Sequence, residues 1–133
     1  MSAIKTAIAA IVDVEHHGVL MLRRRDDDRG YPSHWCFPGG RIAGDETSED
    51  AAIRETLEET GLRISHLRHV GTRASTSAHP RRYDVDGYVT TEWRGQLMRY
   101  PTPEHQDARW VSITDVPTLT PLGPATRWLA TLL

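Results

Sequence analysis

Gly39-Gly40-Arg41-Ile42-Ala43-Gly44-Asp45-Glu46-Thr47, continued by Arg54-Glu55-Thr56-Leu57-Glu58-Glu59-Thr60-Gly61-Leu62, is the stretch on which the reading of this chain turns. Ser48 to Thr60 contains neither Gly nor Pro, so the segment is expected to be helical. Thr47 and Asp50 form a capping box at its start and Gly61 supplies the left-handed residue that ends it. At about 100° of rotation per residue, Glu55, Glu58 and Glu59 share one arc with Ala51, and Arg54 borders it. Ala52, Ile53, Thr56 and Leu57 fall on the other side, which is expected to be buried. Three carboxylates on one helix face repel one another unless a cation lies among them, and an oxygen-ligated divalent metal resolves that repulsion.

Working outward, 133 residues are enough for one domain with a single core, placed at 1–133. A net charge of −2 lacks the basic footprint of a protein that binds nucleic-acid polymers. Cys36 is the one cysteine, so no intrachain disulfide is available. A reducing cytoplasm is the expected compartment, with Cys36 a small, partly buried apolar residue rather than a nucleophile. No apolar run reaches membrane-spanning length and no signal-peptide pattern is evident, so neither a membrane nor a leader is expected.

Residues 3–14 form a nearly continuous, β-branched apolar run that suits a strand buried on both faces, although pattern alone leaves a short helix open. Glu15 to Gly18 reads as a turn, and Val19 to Leu22 as a second strand running into Arg23-Arg24-Arg25. Asp26 to His34 reads as a surface loop, and Trp35-Cys36-Phe37-Pro38 leads into a glycine turn at Gly39-Gly40. Strands are expected over Leu67 to Thr76, Arg82 to Trp93 and Ala108 to Ile113, with Trp93-Arg94-Gly95 a turn before another short strand and Pro101 to Asp107 a loop. Gly123-Pro124 opens a terminal helix carrying Ala125, Trp128, Leu129 and Leu132 on one side. Strands outnumber helices, which predicts a mixed sheet with helices packed on its faces.

Gly40, Glu46, Arg54-Glu55, Glu58-Glu59 and Gly61 stand at the spacing of the Nudix box, and residues 40–62 resemble that motif of the Nudix hydrolases, in their MutT-like and CTP pyrophosphohydrolase-like branch. Seven such identities at fixed spacing should arise by chance about once in 10⁸ windows. Thr56 departs from the pattern, standing where the family usually carries an aliphatic residue. The resemblance implies an α/β/α sandwich with a central mixed sheet, of the α/β (α+β) class. It also implies metal-dependent hydrolysis of a nucleoside diphosphate linked to another group. Glu55, Glu58 and Glu59 are then the expected ligands of Mg²⁺ or Mn²⁺, with the Gly40 carbonyl a further one. Arg54 is expected to hold a glutamate by a two-pronged bond and Glu46 to belong to that bracing network. Glu55 and Glu58 both remain open as the group that takes the proton.

Outside the box, Glu104 resembles a glutamate that approaches the metal and acts as base in triphosphate-hydrolysing members. Arg24 and Arg41 are candidate substrate contacts, Arg24 resembling a phosphate-binding arginine. Trp35, Tyr83, Tyr88 and Trp110 are candidates for stacking a base, although strand aromatics more often pack in the fold. None of the seven histidines is assigned a role. Pro80 sits slightly too far along to match the ADP-ribose branch. The resemblance favours a nucleoside or deoxynucleoside triphosphate, hydrolysed to the monophosphate and pyrophosphate. The chain contains no Asn, the residue with which the sanitisers of oxidised dGTP read the base, so a pyrimidine nucleotide is favoured. The alternatives are an ADP-ribose or other nucleoside diphosphate pyrophosphatase, and a non-catalytic nucleotide sensor. The expected partner is a small nucleotide, bound by a monomer or homodimer.

Overall fold

In chain order the elements are β1 (Ile4–Asp13), β2 (Gly18–Arg24), β3 (Trp35–Cys36), β4 (Gly39–Arg41) and α1 (Ser48–Thr60). There follow β5 (Leu62–Ser65), β6 (Arg68–Ser75), β7 (Tyr83–Thr90), β8 (Glu92–Gly95) and β9 (His105–Ser112), then a 3₁₀ turn (Ile113–Thr118) and α2 (Pro124–Ala130). The computed structural model describes residues 3–75 and 82–133, so Pro80 and the end of the strand expected to reach Thr76 lie outside the described residues.

The long apolar run is a strand, and its alternation builds the layers. Ala7, Ala9 and Ile11 face one core, shared with Ala51 and Ala52 of α1 and with Leu62, Ile64 and Tyr88. Ala10 and the partly buried Ile8 and Val12 face a second core with Val19, Met21, Phe37 and Leu129 of α2. Successive strand side chains point to opposite faces, so β1 is covered on both, with α1 on one side and α2 on the other. This is the expected three-layer arrangement.

β1 also organises the sheet. Along one edge β7 runs parallel to it from Ile4 to Ile11 and is itself paired antiparallel with β6. Along the other edge its neighbours change: β4 pairs antiparallel with Thr6 to Ile8, and β2 takes over at Val12 and Asp13. β2 then carries β3 and β9. The sheet therefore parts beside the middle of β1, and the glycine segment lies in the opening. Among the described residues no helix is long and apolar enough to cross a membrane.

Several local expectations are corrected. Gly39-Gly40 is not a turn but the start of β4, because without a Cβ its backbone lies close enough to pair with β1. Trp93-Arg94-Gly95 is not a turn: it belongs to β8, which pairs antiparallel with β5 in a separate two-stranded ribbon. The strand expected to run from Arg82 to Trp93 breaks after Thr90 because the Thr90 hydroxyl accepts from the Glu92 N–H (3.0 Å) and donates to the Ser65 carbonyl (2.5 Å). No strand follows between Gly95 and His105, and β9 starts at His105 rather than Ala108. It starts early because the Gln106 amide donates to the Arg24 carbonyl (2.7 Å), tying the strand's first residues to the end of β2. Leu132 lies beyond α2 and is exposed.

In α1 Thr47 Oγ1 accepts from the Asp50 N–H (3.1 Å) and Gly61 is left-handed at φ 82°, as expected, but among the described residues no return bond from the Thr47 N–H to the Asp50 side chain completes a capping box. The buried side is rotated, however: Ala51, Ala52, Thr56 and Thr60 are fully buried, and Ile53 and Leu57 only partly. The arc shared by Ala51, Glu55 and Glu59 thus turns inward against the sheet. Thr56 packs there, but its Oγ1 has no hydrogen-bond partner. An unsatisfied buried hydroxyl costs about 1–3 kcal/mol, whereas an apolar group of the same shape carries no such penalty. One substitution should therefore act with opposite signs at two buried threonines. Thr56→Val should stabilise by about 1 kcal/mol, and Thr90→Val, which removes two hydrogen bonds, should destabilise by about 2 kcal/mol. Urea denaturation of both variants checks this, and equal signs would refute the hydrogen-bond assignment.

Candidate active site

The site begins with two glycines laid against a helix. A side chain at Gly39 (φ 154°) would place its Cβ 2.2 Å from the Ala7 carbonyl of β1, and one at Gly40 would place it 2.5 Å from Cδ of Glu55. Only residues without a Cβ let β4 fit between β1 and the carboxylates of α1. The bare backbone is also used, because the Gly39 N–H donates to Oε1 of Glu59 at 2.9 Å.

Arg54 holds the glutamates around this contact. Its Nε and Nη2 grip Glu46 in a fork at 2.7 and 2.9 Å, the two-pronged geometry expected of it. Nη1 donates to Glu55 (3.0 Å) and to both oxygens of Glu58 (3.2 and 3.3 Å), and Nη2 also reaches the Arg41 carbonyl (3.1 Å). Glu46 further accepts from the Ala43 N–H (3.0 Å), which closes the loop before the helix. The Arg54 hydrogen bonds, then that backbone bond, hold the Glu46 carboxyl down to about 2, and the same partners keep Arg54 charged.

The three helix glutamates have different surroundings. Glu58 is the outermost, its side chain 57% exposed, whereas that of Glu55 is 18% exposed. Burial pushes Glu55 above the ordinary carboxylate range. Burial and then the repulsion of Glu55 and Glu104 carry Glu59 up to about 8, against the lowering effect of the Gly39 bond. A carboxylate so placed gains most from a cation, so this donor set fits the expected divalent metal.

Glu59 also lines a cleft, partly open to solvent, together with Arg24, Cys36, Gly40, Tyr83 and His105. Arg24 enters from the end of β2 and is paired with Asp28 at 3.3 Å, so it both faces the cleft and belongs to a local ion pair. Burial pushes the Cys36 thiol up to about 12, in keeping with an unreactive residue. The loop before β9 is fastened by the Tyr100 hydroxyl, which donates to the Glu59 carbonyl at 2.6 Å. It brings Glu104 beside Glu59, where one carboxylate oxygen lies within 4.8 Å of Glu59 and of a ring nitrogen of His105.

Other candidates are not brought in. The Arg41 side chain is exposed and does not line this cleft, although its carbonyl serves Arg54. Trp35 is buried with the Arg23 and Arg109 guanidiniums 5.6 and 5.5 Å from its ring. Tyr88 is buried with its hydroxyl bonded to Ser48, and the partly exposed Trp110 lies against Trp93 with ring centroids 5.2 Å apart. Of the four candidate stacking residues, Tyr83 alone lines the cleft. His105 was left without a role by its sequence and yet is 2% exposed at the cleft wall. Its signal was its place next to Glu104, which acquires meaning only when β9 sets His105 opposite Arg24 of β2.

Comparison with known proteins places this arrangement. Over 96 residues the chain is 31% identical to the 8-oxo-dGTP diphosphatase of Proteus vulgaris, covering 70% of this chain and 82% of that protein. Over 62 residues it is 37% identical to the m7GpppN-mRNA hydrolase of Danio rerio, covering 47% of this chain but only 21% of that much longer protein. The crystal structure of a MutT NUDIX hydrolase from Burkholderia pseudomallei superposes with a TM-score of 0.86 at 22% identity, covering 98% of both chains. The family model of the NUDIX domain matches residues 3–131, nearly the whole chain and every residue of the carboxylate network just described. The chain belongs to the NUDIX domain family.

Proposed function

We propose that the chain hydrolyses a nucleoside or deoxynucleoside triphosphate to the monophosphate and pyrophosphate, one water being consumed for each anhydride bond broken. The observation that carries this reading is the seating of Glu59 on the Gly39 N–H in the wall of the cleft, with Glu55 and Glu58 braced beside it by Arg54. Glu55, Glu58 and Glu59, with the Gly40 carbonyl, would hold Mg²⁺ or Mn²⁺. The ion would neutralise phosphate oxygens and make a water more acidic. Arg24 supports phosphate binding from the cleft wall, and the cleft's apolar lining, including Ile8, Phe37 and Tyr83, accepts the nucleoside. Arg54 and Glu46 set geometry rather than touch substrate. The proton of the attacking water goes to Glu55, Glu58 or Glu104.

A pyrimidine triphosphate is the favoured substrate, because the chain has no Asn with which to read an oxidised guanine. The name of the Proteus vulgaris relative favours a second reading, an oxidised purine deoxynucleotide. Assaying natural triphosphates, 8-oxo-dGTP, ADP-ribose, nucleotide sugars and dinucleoside polyphosphates, with chromatographic identification of products, separates them. The expected result is monophosphate with pyrophosphate from a pyrimidine triphosphate. Tight binding of a nucleotide without turnover would identify a sensor instead.

Glu58→Gln and Glu59→Gln should each lower kcat by about 10²-fold or more, and steady-state kinetics that matched the parent would remove these residues from the site. Chelation of divalent ions should abolish turnover, and Mg²⁺ should restore it.

Stability should show the same carboxylate. The folded chain holds the Glu59 proton up to about 8, whereas the unfolded chain releases it near 4.5. This contribution is therefore full below the lower value and is lost as pH rises through the higher one. Thermal melts of metal-free protein at several pH values across that window should show a decline attributable to Glu59, reversed by Mg²⁺ at the alkaline end. Glu59→Gln should flatten the trend.

A further inference from the structure

Among the described residues, one buried group has no task in the reaction proposed above. His105 is 2% exposed, lines the cleft, and its Nδ1 makes no hydrogen bond. Leaving such an atom unpartnered costs about 1–3 kcal/mol, and native structures keep such groups where something else satisfies them. A ring nitrogen of this imidazole and carboxylate oxygens of Glu59 and Glu104 all lie within 4.8 Å of one another. Even so, no hydrogen bond or ion pair joins the ring to either carboxylate among the described residues. Two acids and an imidazole facing one another without direct bonds leave room for a shared cation.

We propose that Glu59, Glu104 and His105 form a second cation position, beside the carboxylates braced by Arg54 and sharing Glu59 with them, whose nitrogen–oxygen donor set takes Mn²⁺, Co²⁺ or Zn²⁺ in preference to Mg²⁺. Imidazole nitrogen suits these borderline ions, whereas Mg²⁺ favours oxygen and retains its waters. The surroundings support this. His105 lies opposite Arg24 on the paired strand and is almost fully buried, so its ring is held in place at the cleft wall. The charge of Arg24 is in turn opposed by Asp28 at 3.3 Å. Glu104 is exposed, on a loop held by Tyr100 and Thr102, so its carboxylate can turn to complete the coordination.

The test uses the whole chain without nucleotide. Pulsed EPR of Mn²⁺-loaded protein should show coupling to a directly bound nitrogen that excess Mg²⁺ displaces poorly. His105→Gln should abolish the coupling and weaken Mn²⁺ binding by about tenfold or more, with a much smaller effect on Mg²⁺, read by calorimetry. Glu104→Gln alters only an exposed side chain and should also weaken Mn²⁺, while Glu58→Gln should leave the nitrogen coupling in place. No nitrogen coupling in the parent, unchanged coupling in His105→Gln, or parental Mn²⁺ affinity in Glu104→Gln would each overturn the assignment. Because no substrate is present, failure to hydrolyse any nucleotide would sink the proposed function and leave this result intact, and the reverse holds equally.

Discussion

Among the described residues Arg54 is the one cation hydrogen-bonded to Glu46, Glu55 and Glu58, and the arrangement of the site depends on it. A single partly exposed ion pair contributes little, but a planar guanidinium that engages several carboxylates and a backbone carbonyl fixes their relative positions. The network leaves Glu59 outside its reach. That carboxylate is instead held by a backbone N–H and carries the largest upward shift among the site's acids. The division separates glutamates that are braced from the one most in need of a cation.

The same constraint accounts for the local fold. For α1 to present Glu55 and Glu59 inward, β4 must approach the helix at backbone distance, which the glycine pair permits. For β4 to occupy that place, β2 must leave the edge of β1, and the sheet parts there. The parting opens a cleft with Glu59 at one end and apolar side chains along its walls: Ile8 of β1, Phe37 before β4, Tyr83 and Val85 of β7, and Pro124 and Ala125 at the start of α2. Glycine content, sheet topology and cleft are thus consequences of one packing requirement.

The loop before β9 supplies what α1 lacks. Tyr100 anchors it to the last turn of the helix, so Glu104 and His105 arrive next to Glu59 although they lie more than forty residues further along the chain. The cleft is therefore built from one local motif and one distant segment that meet at a single carboxylate.

The amino-acid sequence by itself determined what depends on short-range spacing. The helix α1 and its end residues follow from residues a few positions apart, and the bracing roles of Arg54 and Glu46 follow from the resemblance of residues 40–62 to a known motif. The apolar run of β1, by contrast, suited a doubly buried strand but left a helix open until its pairing with β7 and β4 decided it. Turn chemistry was harder to read: Trp93-Arg94-Gly95 has the composition of a turn but becomes a strand because β5 lies alongside to pair with it. The direction of α1 was legible only approximately, since Ala51 is buried by the approach of β1 and β4 rather than by its own hydrophobicity. Only the tertiary structure decided which distant side chains share the cleft. It withdrew Trp35, Tyr88, Trp110 and the Arg41 side chain, kept Arg24 and Tyr83, and introduced His105. The physical reason is that helix periodicity is carried by the local backbone, whereas the meeting of β9, β2 and α1 depends on strand pairing between segments far apart in the chain.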